Sequence, residues 1–461
     1  NYFDKAIPYF RTVVKDYPDT KYAEYSANLL LDIYNLRKDY EGLGKISKEL
    51  LAVPAIANSQ AGKEIQDVVE KVNFKKAQDI EGKGDFITSA QQYEKFIQEN
   101  RNPELISLAY FNAAVNYSKG GLPGKSLALL NVLYQRKDPT AMKLKEQVIA
   151  FMPALYRDVG QLEKAAAAHI EAAKIVKTAT EQANHYYNAA VLYEALDLKS
   201  EAIANFTKYY ELSKSRDKVS VLFNMAQLSR KNSQRSQAIE LYTRFLNESS
   251  TVTRDSIESY YWLYSLSSKG PEKEKWAATT LKMYNQLPQD QKNISASYPA
   301  KVEVDKLKSL YAELWSIKLN NLKKLQELSS KKISVIESIN QKAAQIIKLN
   351  SPEEILEAVK IVGDANLNLY ESLVNSPVPP ELTSPEKIKE YRDTVKSQLA
   401  DPFFTKAIEA YELVLQRSSE FEVYSDFTQQ ARQQLVKMKP GALYEFGQMS
   451  LDSYSADWMS L

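Results

Sequence analysis

The chain contains no cysteine. That excludes a disulfide scaffold and any thiolate metal site. Histidine is almost as scarce: His169 and His185 are the only two in 461 residues. Two isolated imidazoles show no metal-ligand spacing and leave little general-base chemistry. Glycine (13) and proline (17) are too few for an all-β chain built on many turns. No apolar run reaches the ~18 residues of a membrane-spanning helix, so the chain is read as not transmembrane. The net charge is only +2, which selects neither nucleic acid nor an anionic membrane as partner. Gly-rich phosphate loops and Gly-x-Ser-x-Gly elbows are missing too, and no cofactor or metal is expected.

What remains is ordinary for a folded protein, at 44% hydrophobic and 26% charged residues. Tyrosine is the exception, with 30 copies. Its apolar ring and polar tip suit half-buried helix faces. The chain opens at Asn1, inside a repeat, and reads as a trimmed or mature fragment.

Self-similarity is the strongest signal. Asn112-Ala-Ala-Val-Asn-Tyr117, Asn188-Ala-Ala-Val-Leu-Tyr193 and Asn224-Met-Ala-Gln-Leu-Ser229 start 76 and 36 residues apart. Tyr156, in Ala154-Leu-Tyr156, stands for the copy between the first two. A second helix follows each, with a small residue and larger ones four and seven positions on. Examples are Ala6/Phe10/Val13, Ser89/Tyr93/Phe96, Ser126/Leu130/Leu133, Ala202/Phe206/Tyr209, Ala238/Tyr242/Phe245 and Ala407/Tyr411/Val414. Those positions share one helix face. Turns at Gly84-Asp-Phe, Gly121-Leu-Pro, Gly160-Gln-Leu and Asp197-Leu-Lys separate the two helices.

These residues resemble the tetratricopeptide repeat, a helix–turn–helix unit of roughly 34 residues. Ala114, Ala190 and Ala226 match the small position of its first helix, and Tyr17-Pro18 its closing proline. The resemblance covers about residues 1–290 and returns near 401–440. It implies an all-α fold, a right-handed superhelical solenoid of antiparallel helix pairs with a long-helix C-terminal segment. The period of 36–39 residues is longer than the family's.

The expected divisions are N-terminal repeats over 1–50, a connecting helix over 51–72, the main array over 73–295, a long-helix segment over 296–375, and a C-terminal helical pair with tail over 376–461. Residues 299–352 read as one long helix or a hairpin breaking near Ser329-Ser330. A further helix is expected over 353–373. Ser376-Pro-Val-Pro-Pro380 reads as a stiff linker. Lys323-Lys324 and Lys331-Lys332 read as solvated helix faces.

In such arrays the first helices line the concave surface. Asn112, Asn188 and Asn224 share one position there, with Phe151 and Trp262 near it in neighbouring repeats. In related peptide-binding arrays Asn at this position grips a peptide backbone, since its amide both donates and accepts. Phe111, Tyr187, Phe223 and Tyr261 precede it, a row that either flanks the groove or packs between repeats. Adjacent positions cannot face a groove equally. His169 reads as packed or on the surface, and His185 as structural or groove-lining. Glu337-Ser338 is similar to the catalytic dipeptide of lytic transglycosylases, but it sits in a continuous amphipathic pattern without the Gly-rich segment those enzymes need.

A narrower resemblance rests on Pro377-Val-Pro-Pro-Glu-Leu382, Glu390-Tyr-Arg392, Ala407-Ile-Glu-Ala-Tyr411 and Phe427-Thr-Gln-Gln-Ala431. It is similar to the end of periplasmic tetratricopeptide proteins of the bacterial gliding (adventurous) motility apparatus. Ala6-Ile-Pro-Tyr-Phe10 and Tyr17-Pro-Asp-Thr20 resemble envelope repeats serving outer-membrane assembly. The resemblance implies a non-catalytic scaffold that binds other proteins or peptides in a periplasmic, cell-envelope complex. The alternatives are a peptide-binding or chaperone-type module and a superhelical accessory to a wall-acting enzyme, and the alternative location is cytoplasmic.

Overall fold

The structure is a computed structural model that describes residues 2–100 and 102–441. Among these residues every regular element is helical, so the fold is all-α. The chain divides into two compact units, Asn1–Val221 and Leu222–Leu461. The first holds α1 (Tyr2–Asp16), α2 (Lys21–Leu36), α3 (Tyr40–Leu51), α4 (Pro54–Ala57), α5 (Gln60–Gly82), α6 (Phe86–Glu99), α7 (Pro103–Lys119), α8 (Pro123–Gln135), α9 (Pro139–Asp158), α10 (Leu162–Ile175), α11 (Ala179–Ala195) and α12 (Lys199–Leu212). Helix α13 (Lys218–Lys231) carries the division. The second unit continues with α14 (Arg235–Glu248), α15 (Arg254–Leu266), α16 (Pro271–Asn285), α17 (Gln289–Ser295), α18 (Ser297–Ser316), α19 (Leu325–Ile347), α20 (Pro352–Val374), α21 (Pro385–Thr394), α22 (Asp401–Glu420) and α23 (Asp426–Met438).

The hairpins follow from a repeated turn. Six three-residue links place their middle residue in the left-handed region: Lys38, Gly84, Gly121, Gly160, Asp197 and Ser233, with φ between 56° and 83°. That residue donates its N–H to the carbonyl three residues back, as Asp197 does to Glu194 at 3.0 Å. In five of the six the next N–H reaches five residues back, as Leu198 does to Tyr193 at 2.9 Å. The last carbonyls of the first helix are satisfied and the chain is reversed in three residues. So short a link makes neighbouring helices antiparallel. Lys38 and Ser233 do this without being glycine, and so escape a search for glycine. At the other ends, Thr20, Asp85, Asp138, Thr178 and Thr253 cap helix N-termini.

The small-then-large stripes form the core. Ser89, Tyr93 and Phe96 are buried, as are Ser126, Leu130 and Leu133, Ala238, Tyr242 and Phe245, and Ala407, Tyr411 and Val414. The helices approach closely enough for the Ser89 hydroxyl to donate to the Ala77 carbonyl of α5 at 2.8 Å. On α1 the equivalent Ala6, Phe10 and Val13 are only half-buried.

The long-helix segment breaks elsewhere than expected. Ser329 and Ser330 lie inside α19, and the chain turns at 317–321 instead. Ile317 and Leu319 are buried there, so an apolar link marks the break where two serines do not. An exposed serine in a helix costs only a few tenths of a kcal/mol. Helix α20 packs on α18 and α19 along one side and on α22 and α23 along the other, which is why apolar residues cover most of it. The expected solvated pair Lys331-Lys332 is corrected too. Lys331 is exposed, but Lys332 is 1% exposed, with Nζ donating to Asn368 and Ser372. Burial, then nearby Lys318, pushes its amine down to about 8. The linker 376–384 contains no helix. The expected tail, Gln448–Leu461, lies outside the described residues.

Two stability outcomes follow. A Cβ at Gly363 of α20 would meet the Tyr411 ring at 2.7 Å. Overpacking costs roughly 1–3 kcal/mol, against a helix-propensity gain of about 1 kcal/mol for Gly→Ala. Gly363→Ala should therefore lower the urea midpoint. A Cβ at Gly160 meets nothing within 4 Å, so Gly160→Ala carries only the left-handed penalty, roughly 1 kcal/mol. Ser233→Gly should gain a similar amount, and equal midpoints for both turn variants would contradict the turn assignment.

Candidate functional site

The left-handed turns give an internal ruler for the first helices. Nine residues before each turn residue come Leu29, Lys75, Asn112, Phe151, Asn188 and Asn224. The three asparagines thus share a position, but the row is mixed. Asn112 (α7) and Asn188 (α11) belong to the first unit, with Phe151 of α9 between them in chain order, and Asn224 belongs to the second.

Their surroundings differ. Asn188 is exposed, while Asn112 and Asn224 are half-buried. The Asn112 amide donates to the Tyr93 hydroxyl of α6 at 3.3 Å. Burial pushes the Tyr93 phenol up to about 12, and the Asn112 bond pulls the other way.

The aromatic row is held inside the hairpins. Tyr187 packs against Phe206 at 5.8 Å and Tyr209 at 5.1 Å between centroids, and Phe223 against Tyr242 at 6.2 Å and Phe245 at 5.5 Å. Phe74 repeats the contact with Tyr93 at 5.2 Å and Phe96 at 5.4 Å. Phe111 is half-buried beside the Leu127, Leu130 and Leu133 core. Each ring meets the second-helix stripe, and edge-on pairs of this kind add roughly 0.5–1.5 kcal/mol beyond burial. Tyr187 keeps 37% of its surface open.

Tyr261 and Trp262 belong to a different cluster in the second unit. Tyr261 packs on Trp262 at 5.0 Å and Tyr298 at 5.6 Å. The Trp262 indole donates to Glu258 at 3.1 Å, and the Arg230 guanidinium lies 3.7 Å over its ring. Gln227 donates to the same Glu258 oxygen at 2.6 Å and accepts from Arg230 at 2.9 Å. These polar groups bridge α13 and α15. Gln227/Arg230 and Glu258/Trp262 are helical neighbours at three- and four-residue spacing, the signal that could have found them.

The first unit carries a further surface, in which Leu29 holds the row position but its neighbours do not. Tyr22, Tyr25, Leu29 and Leu36 of α2 are 75%, 67%, 45% and 70% exposed, and their spacing puts them on one face. Beside them a cavity of about 390 Å³ opens between α2, α3 and α5. Leu31, Leu43, Val68 and Val72 give it apolar walls, and Asp32, Lys71 and Lys75 give it charge. Lys75 pairs with Asp79 at 3.4 Å.

No protein-family model matches the chain, and no curated protein matches it. Solved structures do. The C-terminal part of a tetratricopeptide repeat-containing protein from Cytophaga hutchinsonii is 13% identical, with 68% of this chain and 98% of that one covered, at a TM-score of 0.30. Naa15/Naa10 bound to HypK-THB is 13% identical over 90% of this chain and 61% of that one, at 0.33. The apo form of RapI is 12% identical over 80% and 99%, at 0.29.

Elsewhere, Glu337 is exposed within the 23-residue helix α19, and the Ser338 hydroxyl donates to the Ser334 carbonyl. Among the described residues no group of three or more His, Cys, Asp or Glu could hold a metal ion. Among them, too, no helix is long and apolar enough to cross a membrane. His169 and His185, distant in sequence, meet across α10 and α11.

The two asparagines of the first unit should separate in a stability measurement. Asn112→Ala leaves the Tyr93 hydroxyl without this bond and should cost about 1 kcal/mol. Asn188→Ala on the exposed face should change stability by less than ~0.5 kcal/mol. Urea unfolding of both variants checks this, and equal losses would contradict the difference in their surroundings.

Proposed function

We propose that the chain is a non-catalytic scaffold that holds other proteins, with the α2 face and its adjoining cavity as the main contact surface. The observation that carries this reading is the exposed stripe Tyr22/Tyr25/Leu29/Leu36. A contiguous apolar stripe left in water marks a binding surface more often than a scattered one does. Tyrosine adds large contact area at low conformational cost. The cavity beside it would seat an apolar side chain, with Lys71 and Lys75 placed to meet an acidic neighbour. Asn188, on the exposed face of α11, would add a backbone contact for an extended segment.

The finer proposal places this scaffold in a bacterial cell-envelope complex of the periplasm, such as a motility machine. Its support is the likeness of the opening and closing segments to envelope repeats, Ala6-Ile-Pro-Tyr-Phe10 and Pro377-Val-Pro-Pro380 among them.

Leu29→Glu with Tyr25→Ala should leave helicity intact, since both side chains are solvent-facing, and weaken partner capture by about tenfold or more. Crosslinked copurification from cell envelopes, wild type against this variant, reads the effect. Partners recovered equally by both would dismiss the α2 surface, and a free chain in each would dismiss the scaffold.

A further inference from the structure

The chain's two imidazoles face each other. His169 of α10 and His185 of α11 hold their Nδ1 atoms 3.0 Å apart, with ring centroids at 5.3 Å and planes tilted by 47°. Both residues are half-buried. At this distance one Nδ1 carries a proton and donates, and the other accepts. The resting pair is therefore two neutral rings in complementary tautomers. A first added proton goes to the donor ring's Nε2 and keeps the N–H···N bond. A second must land on the accepting Nδ1. Two N–H groups and two positive charges then point at one another, and the rings must part.

The neighbours sharpen this. From α9, Arg157 acts on His169 with positive charge. From α11 itself, Glu181 favours a charged His185. From α12, Lys208 is turned onto the Tyr186 ring at 4.8 Å. On α10, Lys174 is paired with Glu171 at the surface. With the positive charge of Arg157, itself paired with Asp158 at 3.1 Å, acting on His169, and each Nδ1 aimed at the other, the rings suit a proton better than a metal ion.

We propose that His169 and His185 form an acid-sensitive latch, which closes α10 on α11 while neutral and releases that contact when both rings are protonated. Burial, then His185 and Arg157, holds His169 down to about 4. Burial likewise holds His185 below its ordinary value of 6.5. An opened or unfolded imidazole takes its proton near pH 6.5. Each folded value lies below that, so the open state binds more protons as pH falls. The latch is complete above about pH 6.5 and is lost as pH drops toward about 4. Asn188 lies one helical turn beyond His185, so release reaches the exposed face of α11.

A titration followed by NMR tests this on the intact chain, because two histidines give only two imidazole signals. Both midpoints should fall below the ordinary 6.5, His169 the lower. Amide protection over residues 162–195, corrected for intrinsic exchange, should drop about tenfold more than over 103–135 between about pH 7.5 and 5. His169→Gln and, separately, His185→Gln should each remove most of that extra pH dependence, because only one of the two facing rings is left to charge, while burial keeps the remaining histidine below 6.5. The wild-type titration alone decides if a variant loses helicity. Two histidines titrating independently near 6.5, or an equal loss of protection in wild type and folded variants, would overturn the latch.

Discussion

On α6, α8, α10, α12 and α14 an alanine or serine five residues after the turn residue sets how near the two helices of a hairpin can come, while α3 carries Leu43 there. With α6 that close to α5, Ser89 reaches the Ala77 carbonyl, and the larger residue four positions on, such as Tyr93, Leu130, Phe206 or Tyr242, is buried. A larger residue at the small position would push the axes apart and strand the aromatic beyond. Everything else in the array depends on that spacing. The left-handed turns bring the chain back within reach, and the first-helix aromatics Phe74, Tyr187 and Phe223 then dock on the stripe. The same physics reappears in the second unit without the repeat's regularity: Gly363 of α20 leaves room for the Tyr411 ring, whose hydroxyl donates to Asp364 at 2.8 Å.

Packing of this kind consumes one side of each first helix, while the other side ranges from open on α2 to half-buried along α7 and α13. What that side offers varies from hairpin to hairpin: a tyrosine–leucine stripe on α2, an open asparagine on α11, and an arginine-capped tryptophan on α15. An array built this way can vary its outward positions without disturbing its core, because the two sets of positions are different residues. The buried exceptions have structural roles. Lys332 is the clearest, an amine deep between α19 and α20 that is met by an amide and a hydroxyl. Removing either partner would leave the buried amine short of a hydrogen bond, which is costly.

Much of this was legible in the chain itself. The three-and-four spacing of small and aromatic residues, with glycine turns between, indicates hairpins, and the buried stripes are those residues. The left-handed turns at Lys38 and Ser233 were not legible, because backbone geometry imposed by flanking helices overrode side-chain preference. Nor was the break at 317–321. There, burial of Ile317 and Leu319 mattered more than the Ser-Ser pair that reads as a breaker.

The candidate site shows the same division. Sequence by itself determined the all-α hairpin fold and the shared position of Asn112, Asn188 and Asn224, because helical period and turn chemistry are local and repeat along the chain. Only the tertiary structure decided that Asn112 is spent on Tyr93, that the aromatic row packs inward, that α2 leaves an apolar stripe in water, and that two histidines sixteen residues apart meet at 3.0 Å. Those outcomes depend on which helix lies opposite, and distance between side chains on different helices is not written in the spacing along one.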